Sequence, residues 1–448
     1  MNIQLSDHFT YKKLLRFTLP SIGMMIFTSI YCVVDGFFVS NFAGETEFTA
    51  VNFIMPFLMI LGAIGFMFGA GGSALIAKTL GEGNRERANS LFSLFVYVSF
   101  GVGIVIAILG IVLLKPVASG LGATGELLQN CVDYGWIIAL GLPFYMLQME
   151  FQSFMITAEK PQLSLIFTVA AGCTNIVLDA LLVGLFGWGL EGAAIATITS
   201  QFVGFACPLV FFMRKNTSLL RLGKTKFDIG ALVKACTNGS SELMTNISMS
   251  LVGILYNSQL LRYAGEAGVA AYGVLMYVNF IFVSVFIGYS IGCAPVIGYH
   301  YGAENTTELK GLLKKSIVIV VLTSIAMVGI SLSLAVPMSH AYVSYNPALF
   351  DMTKSAFMYS SFAFLFTGIA IFGSSFFTAL NNGPVSAVIS FLRTLLFQTV
   401  AVIVMPLIFE AMGGEGINGI WSSIIAAEAM AVVVTVIFLL AKRKKYHY

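Results

Sequence analysis

Charge is what this sequence has least of. Of its 448 residues, 10% are Asp, Glu, Lys or Arg, where a soluble domain carries roughly 25%. That little charge cannot cover a water-facing surface, so a soluble enzyme or binding module is excluded as a class. The net charge of +3 is small, and no nucleic-acid partner is expected. Histidine is as scarce. His8 and His447 stand near the ends of the sequence, and His300 and His340 fall at the ends of apolar runs. The six cysteines, Cys32, Cys131, Cys173, Cys207, Cys236 and Cys293, all lie in apolar stretches. No two have metal-ligand spacing, so they read as packing residues. Neither paired metal-binding Asp motifs nor a His in a polar setting is present, so no intramembrane transferase chemistry, no enzyme and no cofactor is expected.

What the sequence has in quantity is apolar residues, 58% of the chain. A bilayer crossing needs about 20 mostly apolar residues. Runs near 15–40, 49–77, 91–114, 131–157, 163–186 and 192–213 satisfy this, and six more follow near 235–261, 269–299, 315–338, 355–379, 385–409 and 417–441. In lipid every backbone polar group must be satisfied within its own segment, so these runs predict helices. The fold class expected is an all-α polytopic membrane protein with twelve transmembrane helices. Lys12, Lys13 and Arg16 precede the first run as in a signal peptide, but that run is too long and contains Asp35. Twelve crossings place both ends on one side. Nearly all Lys and Arg fall on that side, while Lys115, Arg262 and Lys354 fall on the other. Basic loops are retained in the cytoplasm, so cytoplasmic termini in the plasma (inner) membrane are expected.

The sequence also repeats. Ala43–Phe92 aligns without gaps on Ala264–Leu313, so Ala43-Gly44-Glu45 meets Ala264-Gly265-Glu266, Gly71 meets Gly292, Gly81 meets Gly302 and Asn84 meets Asn305. Phe154 and Pro161 meet Phe377 and Pro384, and Gly189–Gly192 meets Gly416–Gly419. The expected organisation is two six-helix lobes, 1–213 and 235–448, joined by a basic cytoplasmic linker, 214–234. Each lobe has an even number of crossings, so the two are related by an axis along the membrane normal. Such halves commonly rock about a central cavity.

A charge at mid-bilayer costs about 2.5–3.5 kcal/mol, so those retained are functional candidates. They are Asp35, Glu150, Asp179, Glu242, Arg393 and Glu428. Counting residues from helix ends puts Asp35, Asp179 and Thr197 at one depth, ~10 Å below the outer surface. Asn175 precedes Asp179 by four residues and shares its helix face. This oxygen-rich set could hold Na⁺, or its two carboxylates could share a proton. The alternative is a set of hydrogen bonds bridging helices. Glu150 and Glu242 form a second layer, where either could attract cationic substrates. Arg393 lies at the same depth and could instead pair with Glu242. Met55, Phe57, Met59, Phe66 and Met67 on the second span, with Met276, Tyr277, Phe280 and Phe282 on the eighth, offer the soft surface that suits a polyspecific site.

Several stretches resemble the multidrug and toxic compound extrusion (MATE) family, and within it the MepA-like branch. These are Leu19-Pro20 with Val34–Val39 and Gly44, Gly69–Ala77 with Leu80–Asn84, Asn175–Asp179, and Pro295–Tyr299 with Tyr301–Ala303. The resemblance covers nearly the whole chain. It implies two six-helix lobes around a V-shaped cavity and Na⁺- or H⁺-driven antiport of small organic cations or amphipathic drugs. It also implies a cation site built from Asp35, Asn175, Asp179 and Thr197. The chain departs from family members that use acids on helices 7 and 10, because its tenth span has none. His300 stands where this branch often has Asn, and is expected to be a hydrogen-bonding surface residue. The alternative function weighed is a lipid-linked oligosaccharide flippase, which would need a strongly basic cavity. A monomer in the lipid bilayer is expected.

Overall fold

The computed structural model describes residues 3–43, 45–343 and 347–448. Gly44, part of the repeat and of the resemblance, lies outside the described residues. Over the rest the chain is mostly helical, with non-helical stretches at 3–10 and 214–228 and no strand among the described residues. In order the helices are α1 (Tyr11–Phe38), α2 (Glu45–Gly81), α3 (Arg85–Gly120), α4 (Gly125–Thr157), α5 (Pro161–Leu178), α6 (Gly189–Met213), α7 (Ile229–Gly302), α8 (Thr306–Val343), α9 (Pro347–Ser361), α10 (Phe364–Ala379), α11 (Gly383–Phe391), α12 (Phe397–Ala411) and α13 (Gly416–Tyr446).

Nine helical stretches among the described residues are long and apolar enough to cross a bilayer. One of them, α7, has 74 residues, ~110 Å of helix and enough for two crossings. It breaks at Gly265, where φ is 62° and ψ is −154°, at the equivalent of the α1–α2 turn. The pair α9 and α10, bent by 49°, makes one broken crossing. α11 and α12, joined through the π-helical turn Leu392–Leu396, are already one of the nine. α4 is polar for a spanning helix, with Gln148, Glu150 and Gln152 in its second half. Short turns join it to α3 and α5, which both cross, so it crosses too. The result is the twelve passes expected from the hydropathy. α7 begins at Ile229, so its helix takes in the last residues assigned to the linker.

The repeat extends to backbone conformation. Among the helix ends that close on a left-handed residue are Gly83 (φ 81°), Glu159 (φ 62°), Glu304 (φ 53°) and Asn381 (φ 56°). Gly83 and Glu304 are repeat mates, and Glu159 and Asn381 close the corresponding helices α4 and α10. In each, the next N–H reaches back to a carbonyl one turn up: Asn84 to Thr79, Lys160 to Met155, Asn305 to His300 and Asn382 to Phe377, at 2.9–3.2 Å. This is the Schellman closure, which satisfies carbonyls that a helix end leaves free.

α1–α6 pack on one another, as do α7–α13, and the two units meet through α2 on both limbs of α7 and through α1 on its second limb. The meeting is backbone on backbone. A Cβ added at Gly81 would sit 2.0 Å from the Tyr299 carbonyl oxygen, and one at Gly302 would sit 2.0 Å from that of Lys78. Lys78 and Tyr299 are themselves repeat mates, so this contact maps onto itself across the pseudo-axis. Gly71 meets the Ala235 carbonyl and Gly239 meets that of Met67 in the same way. Small residues let membrane helices approach this closely. Among the described residues, every glycine whose missing Cβ meets the other unit lies in the half nearer the chain ends. The units are therefore shut on that side, called here the terminal side.

Candidate functional site

Three of the intramembrane charges, Asp35, Asp179 and Arg393, lie in or beside turns where helices depart from α geometry. The last turn of α1 widens into a π-helical segment, Val39–Ala43, four residues after Asp35. Asp179 opens a second, Asp179–Leu185, at the end of α5. Arg393 lies in the third, Leu392–Leu396. Such turns shift the side-chain register of a helix and occur disproportionately at functional sites. The first two segments pack together, with Val39, Val183 and Ala193 forming a small buried cluster.

Beneath that cluster the structure brings Asp35, Asn175 and Asp179 together, within interaction range of one another. Asp179 is fully buried and Asn175 almost so. One oxygen of Asp35, the Asn175 amide oxygen and both carboxyl oxygens of Asp179 are buried without a hydrogen-bond partner. Thr197 stands one turn below Ala193 on α6, which turns its helix face toward the same junction. Two carboxylates and an amide oxygen with unmet hydrogen-bonding capacity suit a proton or a small hard cation. Among the described residues no three His, Cys, Asp or Glu form a metal cluster, so a metal ion there would rely on the oxygens of Asn175 and Thr197 beside the two acids.

Tyr134 on α4, missed in the sequence, is a neighbour. Its buried ring lies in electrostatic range of both Asp35 and Asp179, and its hydroxyl approaches the Met55 sulfur at 4.0 Å. One turn away on the same face, the Asn130 amide nitrogen is buried without a partner. The spacing Asn130-x-x-x-Tyr134 repeats that of Asn175-x-x-x-Asp179 at a comparable depth, and was the available signal.

The other candidates are scattered. Glu150 is completely buried, and both its carboxyl oxygens lack partners. It sits among α2, α3 and α4, with its backbone against Gly69 and its side chain near Ser99. That places it inside the first unit, away from any substrate surface. Arg393 does not pair with Glu242. Its Nε donates to both carboxyl oxygens of Glu428, at 2.9 and 3.2 Å, because its π turn aims it at α13 rather than α7. Glu242 is half-buried and keeps only a longer-range attraction to the guanidinium. His300 is not a surface residue. It is 3% exposed and packs edge-on against Phe9 and Tyr299, because the segment before α1 folds over it. Met59 and Phe280, which are repeat mates, are exposed at equivalent levels of the two units, as is Tyr277. Met55 and Met276, also mates, are half-buried.

The MatE family model matches the chain twice, over residues 20–181 and 243–404. The chain belongs to the MatE family. Its two matched halves start 223 residues apart, in keeping with the repeat. Relatives include the multidrug export proteins MepA of Staphylococcus saprophyticus, 23% identical over 97% of this chain and 94% of that protein, and of Staphylococcus haemolyticus, 24% identical with the same coverage. Among solved structures, the outward-facing conformation of a multidrug resistance MATE family transporter superposes with a TM-score of 0.92 at 22% identity, covering 100% of this chain and 98% of that one. A MATE in complex with MaL6 gives 0.90 at 21% identity, covering 98% and 97%. This MatE chain is thus a multi-pass membrane protein with the MATE fold.

Proposed function

We propose that this MatE chain exports small amphipathic or cationic organic compounds by alternating access, in exchange for H⁺ or Na⁺. The observation that carries the reading is the pair of acids, Asp35 and Asp179, meeting beside Asn175 with buried, unpartnered oxygens. Two such groups are costly to keep in a membrane interior, and a cation arriving and leaving gives them a use. Thr197 completes the cation site. Met55, Met59, Met276, Tyr277 and Phe280 supply soft apolar and aromatic surface for the compound, with Glu242 as an attractive charge. The curated relatives are named multidrug export proteins, which supports the same reading. The chain acts as a monomer in the plasma (inner) membrane, with the terminal side cytoplasmic. The Arg393–Glu428 pair neutralises the one intramembrane cation, which weighs against an oligosaccharide flippase, whose pyrophosphate would need free positive charge.

Ethidium counterflow in proteoliposomes, with Na⁺ and pH gradients imposed separately, tests the reading and identifies the ion. Asp35→Asn is expected to abolish gradient-driven efflux while leaving a folded, monodisperse protein. Normal extrusion by that variant would refute the coupling role.

A further inference from the structure

The segments that precede the first helix of each unit reach across to the other unit. Ahead of α1, Leu5 and Phe9 are fully buried, and they sit in a core cluster composed mainly of second-unit residues such as Leu309, Leu312 and Val296. The Phe9 N–H donates to Glu308 Oε1 at 2.9 Å, and His8 Nδ1 lies 2.6 Å from Glu308 Oε2. The Lys315 ammonium donates to the Phe9 carbonyl. Both Glu308 and Lys315 belong to α8. The same segment stays fastened to its own unit, because the Leu5 N–H donates to Glu159 Oε1 at 2.6 Å.

Ahead of α7 the arrangement recurs in mirror form. Asp228, the N-cap of α7, is bonded to the Arg87 guanidinium of α3 in the first unit. Upstream, the Arg221 N–H donates to Asn89 at 2.6 Å and the Gly223 N–H to Ser93 at 3.0 Å. Arg87 and Glu308 are 221 residues apart, the offset of the internal repeat, and His8 and Asp228 are 220 apart, one residue short of it. Arg87 and Glu308 hold equivalent positions with opposite charge: an acid on α8 holds the segment before α1, and a base on α3 holds the segment before α7.

We propose that these two segments are paired straps that hold the terminal side shut, and that Glu308 and Arg87 are positioning residues which set how often that side opens. The proposal rests on alternating access, since only a protein whose units part on the terminal side has a use for a releasable fastening. The first strap packs on His300, two residues before Gly302, and the second ends at the N-terminus of α7, ahead of Ala235 and Gly239 in the other contact. The first is releasable without breaking a helix, because it is held by hydrogen bonds, two buried side chains and one ionic cluster.

The test is pulsed electron–electron distance measurement on the full chain in nanodiscs. Spin labels go on Gln162→Cys and Lys310→Cys, both exposed on the terminal side of opposite units, with the native cysteines replaced. The parent is expected to show a dominant short distance. Glu308→Ala removes the acceptor of two bonds and is expected to raise the ratio of long to short distances about tenfold, and Arg87→Ala is expected to move it the same way. Glu308→Gln, which keeps the shape, serves if the alanine variant does not fold. Removing residues 3–9 should have the same effect and should absorb that of Glu308→Ala, because the two act through one contact. Additive effects would mean that Glu308 only stabilises α8 and would overturn the proposal, as would unchanged distances in every variant. If the distances respond while ethidium never crosses a vesicle, the straps stand and the export reading fails.

Discussion

At the scale of single residues, depth counted along a helix proved a good guide to which oxygens meet. Asp35, Asn175 and Asp179 come from two helices far apart in sequence and still converge, because a spanning helix has a nearly fixed rise and a known entry side. The same count failed for Arg393. Its partner depends on the direction it faces, and the π turn Leu392–Leu396 altered that direction in a way no residue spelling announces. The Arg393–Glu428 pair is well buried, with 14% and 6% of the side chains exposed. Glu428→Gln therefore leaves a cation with no counter-charge and is expected to cost about 3–5 kcal/mol, read as a lower melting temperature in detergent. Combining it with Arg393→Met should restore most of the loss. A double variant no better than the single one would show that the pair has some use beyond neutralising itself.

At the scale of helices, the apolar runs located every crossing, and the gap left between the runs at 235–261 and 269–299 holds the break at Gly265. Hydropathy does not encode which helix faces touch across the two units. That was legible only in glycine spacing, through Gly71, Gly81 and their mates. Gly81→Ala and Gly302→Ala each place a methyl where a carbonyl oxygen already stands. Overpacking of this kind costs about 1–3 kcal/mol, and here it bears on one conformation. The expected outcome is faster labelling of a cysteine introduced on the terminal side at position 235, with the overall fold retained. The start of α7 is pH-sensitive for a separate reason. Asp228 accepts the Ala231 N–H as a helix cap and faces Arg87, and both hold its carboxyl below the usual aspartate range. An acid with a lowered pKa gives its stabilisation above its unfolded value, ~4, and loses it as pH falls through the folded one. Asp228→Asn keeps the cap and loses the charge, so it should flatten the acid limb of the stability curve below about pH 4. An acid limb identical to that of the parent would show that Asp228 does not control it.

At the scale of the whole molecule, twelve passes in two related halves could be read in advance, because composition and internal repetition are properties of the entire string. The fastening of those halves could not. It lies in short polar stretches before α1 and α7, where one hydrogen bond to Glu308 or Arg87 outweighs any pattern. If the straps set the balance between open and shut, their effect reaches transport as well as shape. Turnover of ethidium by Glu308→Ala should change while the response to Asp35→Asn stays absolute, and steady-state efflux from cells carrying each variant would show it.

The left-handed helix ends at non-glycine residues offer a route to a sturdier protein. Glu159 and Asn381 use their side chains, one on Leu5 and the other on the Ala74 carbonyl and Asn238. Glu304 is exposed and has no side-chain bond among the described residues, yet it holds a backbone shape that L-residues resist by roughly 1–2 kcal/mol. Its repeat mate is already glycine. Glu304→Gly should therefore raise thermal tolerance by up to ~1 kcal/mol after the looser unfolded chain is allowed for, making this one position a first choice when purified material must survive long enough to crystallise.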